Sequence, residues 1–213
     1  MISLLFQGHV ALFVLIVLAL VISLSFHEFG HAAVAKLFGD DTAQRAGRLT
    51  INPIAHIDPM GLLMVMIVGF GYAKPVPTDP RNFNSRWADF FVSAAGPGMN
   101  LLVAAISLNF YLLTLNFGWE FMATQGPRLF FLYLARINLI LMLFNLIPLG
   151  ALDGHYILPY FLTRKWAAYY RYYNTRFGNA ALMGLVLLSF VGLPIFAFVW
   201  ALSAALLPLI QFV

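Results

Sequence analysis

The chain has 213 residues, of which 62% are hydrophobic and only 9% charged, with a mean hydropathy of +0.87. Those figures exclude an ordinary soluble domain and predict one integral membrane domain over residues 1–213, with no room for an added peptide-binding or nucleotide-binding module. The net charge of +4 does not point to nucleic acid, because the basic residues are sparse and flank apolar runs, and the absence of cysteine excludes disulfides, thiolate metal sites and a cysteine nucleophile.

The first apolar run begins near the N-terminus. Met1 to Leu24 lacks the basic start of a signal peptide, and cleavage there would strip the helix leading into His27, so the segment is expected to be retained. A crossing helix needs roughly 20 apolar residues. Such runs are predicted at about 9–37, 88–116 and 129–150, and the tail 178–213 is long enough for two more helices joined at Gly192-Leu193-Pro194. The apolar stretch 61–71 is too short to span and is predicted to be re-entrant or interfacial. The expected fold class is an all-α polytopic membrane protein of about five transmembrane segments, with a re-entrant or interfacial hairpin between the first and second.

Orientation follows from basic residues, which stay cytoplasmic in short loops. Lys36, Arg45, Arg48, Lys74, Arg81 and Arg86 follow the first run, and Arg164, Lys165, Arg171 and Arg176 follow the third; the opposite side offers Glu120 and Arg128. The N-terminus is expected to face outward, which brings His27 and Asp153 to similar depth near the cytoplasmic side.

Within the first run stands His27-Glu28-Phe29-Gly30-His31. The i, i+4 spacing puts two imidazoles on one helix face where they can share a zinc ion, and Glu28 beside them can take a proton from water. Three ionisable groups in a lipid-embedded helix are costly and usually functional. A catalytic zinc site needs a third protein ligand, with His9, His56, Asp58, Asp89, His155 and Asp153 as candidates. His9 lies about 27 Å from His27 along the helix and is removed. Asp153 lies in "NLIPLGALDGHYI", 145–157, where Asn145, Pro148 and Gly150 interrupt an apolar run. On the residues alone Asp153 is equally a cap for a helix starting at Gly154.

These stretches resemble the site-2 protease family of intramembrane zinc metalloproteases. "FHEFGH" matches its metal-binding helix and "NLIPLGALDG" its N-x-x-P-x-x-x-L-D-G signature; "SAAGPGMN", 93–100, looks like its A-G-P-x-x-N segment. "INPIAHIDPMG", 51–61, and "GYAKPVP", 71–77, are similar to the minimal branch without PDZ or CBS domains. The resemblance covers roughly 9–165 and implies one zinc ion held by His27, His31 and Asp153, with Glu28 as catalytic base. It also implies two substrate-binding asparagines, Asn145 on the substrate backbone and Asn100 orienting groups near the zinc, and a membrane-embedded hairpin within Leu49–Val76 that pairs with an unwound substrate. The partners implied are the lipid bilayer and a membrane-protein substrate with a transmembrane segment, in a prokaryotic cytoplasmic membrane.

Other features have plainer readings. Ser23, Ser25 and Ser93 lack base and acid partners, Gly96 and Gly98 suit close helix packing, and His56 is as readily a solvated loop residue as a second-shell one. His155 is expected to cap or to donate to a carbonyl. Arg136, mid-way along the third run, is expected to line a cavity, pair with Asp89 or Glu120, or snorkel outward. Two rival readings are another H-E-x-x-H membrane peptidase using Glu120 as third ligand, and a metal-transporting or catalytically silent relative.

Overall fold

The computed structural model describes residues 2–68 and 71–213. Three helices are long and apolar enough to cross a membrane: the first, second and third spanning helices, Val10–Leu37, Ala88–Asn116 and Gln125–Asn145. The first buries Ala19, Ser23, Ser25, His27, Glu28, Gly30, Ala32 and Ala35, all small or polar, while Val10, Val14 and Leu18 are exposed. Lipid tails accept large apolar side chains as readily as another helix does, so helix contacts fall to small residues that let backbones approach and to polar ones that need partners. The second and third helices pack through Ala104, Leu108, Ala135, Leu139 and Met142, with Ile210 closing the cluster.

The third helix stops at Asn145 rather than near 150. Pro148 disfavours helical backbone in the residue before it, and Gly150 takes a φ of +63° that no right-handed helix contains. At the other end the helix starts at Gln125, with Pro127 in the first turn, where a missing N–H is tolerated.

Between the first two spanning helices the implied substrate-pairing strand is not seen among the described residues. The described residues contain no strand; Pro53–His56 and Pro59–Val68 are helical, and the chain returns as an extended segment from Gly71 to Asp79. Gly69 and Phe70, part of the predicted re-entrant stretch, lie outside the described residues. Pro75 and Pro77 have no N–H to give to a ladder, and the Val76 N–H between them is used elsewhere.

Past Asp153 the chain forms one long helix in three parts: Arg164–Tyr173, a π-turn over Asn174–Gly178, and Asn179–Phe190. It breaks at Gly192-Leu193-Pro194 as predicted and resumes as Ala197–Leu206. The apolar last part of the long helix, Asn179–Phe190, and the helix Ala197–Leu206 have 12 and 10 residues, about 18 and 15 Å of rise against a hydrocarbon core of roughly 30 Å. By length and composition, three helices among the described residues qualify as spans. Asn109 fastens the tail: its Nδ2 donates to the Ile210 carbonyl at 2.7 Å and its Oδ1 accepts the Phe212 N–H at 2.7 Å.

Candidate metal centre

The first and second spanning helices run antiparallel, and each histidine of the first finds a partner on the second. His31 Nδ1 lies 2.7 Å from the Val92 carbonyl, and His27 Nδ1 lies 2.6 Å from Asn100 Oδ1. A carbonyl oxygen only accepts, so His31 Nδ1 carries the proton. The Asn100 amide is equally fixed, because its Nδ2 donates to Asn138 Oδ1 at 2.8 Å and to the Ser23 carbonyl at 3.3 Å. Its oxygen must therefore face His27, whose Nδ1 donates. With both protons on Nδ1, each Nε2 presents a lone pair.

Those lone pairs converge on Asp153. The two Nε2 atoms are 3.1 Å apart, Asp153 Oδ2 lies 3.3 Å from His27 Nε2, and Asp153 Oδ1 lies 3.4 Å from His31 Nε2. Neutral imidazoles bring no hydrogen to this meeting, and Asp153 Oδ2 is buried without a hydrogen-bond partner. Electron-rich atoms gathered in this way repel one another unless a cation sits among them. The spacing suits one: tetrahedral zinc with bonds of 2.0–2.2 Å sets its ligand atoms about 3.3 Å apart. His27, His31 and Asp153 can thus hold a metal ion.

The second helix is shaped for this. A Cβ at Gly96 would lie 2.3 Å from His31 Nε2 and 2.6 Å from His27 Cε1, so only glycine lets the imidazoles reach their positions. Pro97 withholds the N–H that would bond the Ser93 carbonyl, which loosens the turn whose neighbouring carbonyl, Val92, receives His31. Gly98, by contrast, has nothing within 4 Å of a Cβ position, so close packing requires only the first of the two glycines.

Glu28 is buried next to His27, and its Oε2 accepts the Val76 N–H at 3.2 Å. The extended segment that supplies this N–H is pinned from several sides. Buried Arg48 donates to the carbonyls of Pro75 (3.0 Å) and Lys74, and the Lys74 N–H donates to the His56 carbonyl at 2.8 Å. His56, which the sequence reading left as readily solvated, is fully buried and donates through Nε2 to the Thr50 carbonyl at 2.6 Å. Asp40, also fully buried, accepts from Thr42 N (3.0 Å), Thr42 Oγ1 (2.5 Å), Asp79 N (2.7 Å) and Asn82 Nδ2 (2.9 Å). Burial alone would raise its carboxyl; the bonds from Asn82, Thr42 and Asp79 outweigh that and lower it from 3.8 to about 2.

The structure joins His27, His31, Asp153, Glu28 and Asn100. Asn145 stands apart: its Nδ2 donates within its own helix to the Leu141 carbonyl at 3.0 Å. Asn100 is 0% exposed and turned to His27. Glu120 follows the far end of the second spanning helix, remote from the cluster. His155 Nδ1 lies 3.3 Å from the Tyr170 hydroxyl, and Arg136 sits 5.7 Å above the Trp200 ring rather than in an ion pair with Asp89 or Glu120. The sequence reading missed Asn138, whose Nδ2 donates to Ser23 Oγ at 2.8 Å and to the Leu134 carbonyl at 2.8 Å, and which thereby fixes the Asn100 amide. A second asparagine in an apolar run was its only signal.

The model for "Peptidase family M50" matches residues 15–120 and 118–191. The chain belongs to peptidase family M50, the site-2 protease family. To a relative from Bacillus subtilis (strain 168), titled "Putative zinc metalloprotease YwhC", this M50 chain is 44% identical over 146 residues, 67% of each chain. To "Putative zinc metalloprotease Rip2" of Mycolicibacterium smegmatis (strain ATCC 700084 / mc(2)155) it is 32% identical over 153 residues, and to Rip2 of Mycobacterium tuberculosis (strain ATCC 35801 / TMC 107 / Erdman) 31% over 157 residues. Both alignments cover 70% of this chain and 57% of Rip2, so the chain spans little more than half the length of that relative. No solved structure matches the chain.

Proposed function

We propose that this M50 chain is an intramembrane zinc endopeptidase that hydrolyses peptide bonds within or near transmembrane segments of membrane proteins. One observation carries the reading: two proton-free imidazole nitrogens and the Asp153 carboxylate, whose Oδ2 has no hydrogen-bond partner, face one another at 3.1–3.4 Å, with a buried carboxylate, Glu28, on the adjacent residue. His27, His31 and Asp153 hold one zinc ion. Bound there, zinc supplies Lewis acidity, bringing the pKa of water toward about 7 and polarising a carbonyl. Glu28 takes a proton as the water oxygen adds to the carbonyl carbon, and it returns that proton to the amine nitrogen as the C–N bond breaks. Asn100 keeps the His27 proton on Nδ1, and Asn145, with its Nδ2 committed to Leu141, turns its carbonyl oxygen to a substrate N–H.

In this reading residues 1–213 act as one membrane domain, and the two shorter tail helices complete five transmembrane segments, the π-turned helix entering the bilayer near Phe177. The basic loops place the N-terminus outside and the metal toward the cytoplasmic side of a prokaryotic inner membrane. The substrate's helix unwinds beside the extended segment Gly71–Thr78, which reaches Glu28 through Val76. Zinc stoichiometry and cleavage of a transmembrane peptide, measured in wild type and Glu28→Gln, test the proposal. Zinc in both with cleavage only in wild type is expected; zinc in both with cleavage in neither would sink it.

A further inference from the structure

Asp153 hangs from an irregular loop whose own hydrogen bonds are short-range: Leu149 N–H to Ile147 O at 2.9 Å and Leu152 N–H to Leu149 O at 3.3 Å. Such backbone is tolerated at membrane depth only when its polar groups find partners within the protein. Buried Gly150, three residues before Asp153, finds both of its partners on a single distant side chain. Asn174 Oδ1 accepts the Gly150 N–H at 2.9 Å, and Asn174 Nδ2 donates to the Gly150 carbonyl at 2.9 Å. One turn earlier, the Tyr170 hydroxyl donates to the Pro148 carbonyl at 2.9 Å and takes the His155 Nδ1–H at 3.3 Å.

Ala167, Tyr170, Asn174 and Gly178 form one stripe of the helix that follows the loop, while Trp166, Tyr172 and Phe177 point outward with more than half their surface exposed. Where the stripe meets Gly150 the helix widens into the π-turn Asn174–Gly178. Single π-turns within α-helices are uncommon and concentrate at functional sites. The fit is tight: a Cβ at Gly178 would lie 2.2 Å from Asn174 Oδ1 and 2.9 Å from the Gly150 nitrogen.

We propose that Asn174, assisted by Tyr170, is a positioning residue that clamps Gly150 and so sets the Asp153 carboxylate for the metal; this rests on the reading of Asp153 as a ligand. Pairing both backbone groups of one residue with one amide fixes the orientation of that peptide as well as its place. Removing the amide leaves a buried N–H and a buried C=O without partners, so the loop must move to find new ones. Three residues further on, Asp153 moves with it. A merely structural clamp, which only fastened the long helix to the body, would leave the metal site untouched.

The test is zinc affinity of the full chain in detergent, by chelator competition, together with amide hydrogen exchange of Gly150 in the metal-free protein. Asn174→Ala and Gly178→Ala each weaken zinc binding about 10- to 100-fold and speed Gly150 exchange, and the double variant is no worse than the stronger single one because both break the same clamp. Tyr170→Phe, which removes only the hydroxyl that donates to the Pro148 carbonyl, gives a smaller loss and serves if the alanine variant does not fold. Leu139→Ala, in the core where the third helix packs on the second, lowers Tm without changing zinc affinity. Faster Gly150 exchange in Asn174→Ala with zinc affinity within about 2-fold of wild type overturns the proposal, since the clamp is then broken and Asp153 has not moved. Equal zinc affinity in Asp153→Ala and wild type instead overturns the ligand reading beneath it, a failure the Asp153 variant alone reveals.

Discussion

The two histidines and the aspartate of the candidate centre are held by different means. His27 and His31 sit on an unbroken helix, share a face through their spacing, and are finished by nine consecutive residues of one neighbour, Val92 to Asn100. Asp153 sits where a helix has ended, and side chains more than twenty residues away hold its loop. Ligands on a helix are specified locally and then tuned, whereas a ligand on a loop is specified by tertiary contacts from the outset.

The largest test of the helical half is Gly96→Ala. Its methyl would lie 2.3 Å from His31 Nε2, so zinc binding by metal analysis is expected to be lost, while Gly98→Ala, with open space around it, binds zinc as wild type does. Equal zinc in both glycine variants would contradict the packing described for the two helices. Next is Asn100→Leu, which frees the His27 proton to move to Nε2 and is expected to weaken zinc affinity about 10- to 100-fold. Asn100→Asp retains an acceptor for that proton but turns its second oxygen on Asn138 Oδ1 and the Ser23 carbonyl, so it should recover only part of the affinity.

Val76→Pro separates catalysis from binding. It deletes the N–H that Glu28 accepts, and the loss of one hydrogen bond to a charged group predicts about a tenfold fall in kcat at unchanged zinc affinity. Smallest is the acid dependence of the loop framework. The folded Asp40 carboxyl is held at about 2 against an ordinary 3.8, so its stabilisation is complete above about pH 4 and is lost as pH falls toward 2. Asp40→Asn should show a shallower decline of Tm than wild type over that window.

Much of this contrast explains what the sequence revealed. The charged cluster at 27–31 is legible because an i, i+4 pair on an apolar helix has few other uses. The three long helices are legible from length, since each run stays apolar enough over about 20 residues or more to cross a bilayer. Asp153 was an open choice among candidates until a resemblance was invoked, because a loop's reach depends on partners such as Asn174 that no local pattern marks. The third helix ends before its apolar run does, because Pro148 and Gly150 stop it although apolarity continues past Asn145. By sequence His56 is as readily a solvated loop residue because it falls in a short stretch between Pro53 and Pro59, yet Arg48 and the returning segment cover it. By sequence Arg136 is open between a cavity, an ion pair and the interface, and the ring that receives it, Trp200, lies 64 residues on, beyond any helical spacing.

The most direct measurement is zinc-edge X-ray absorption on the purified chain and on Asp153→Ala. The account predicts one zinc bound by two imidazole nitrogens and a carboxylate oxygen in wild type, with the protein oxygen lost in the variant. A wild-type centre without a carboxylate oxygen, or an identical spectrum in Asp153→Ala, would contradict the convergence of helix and loop on one metal.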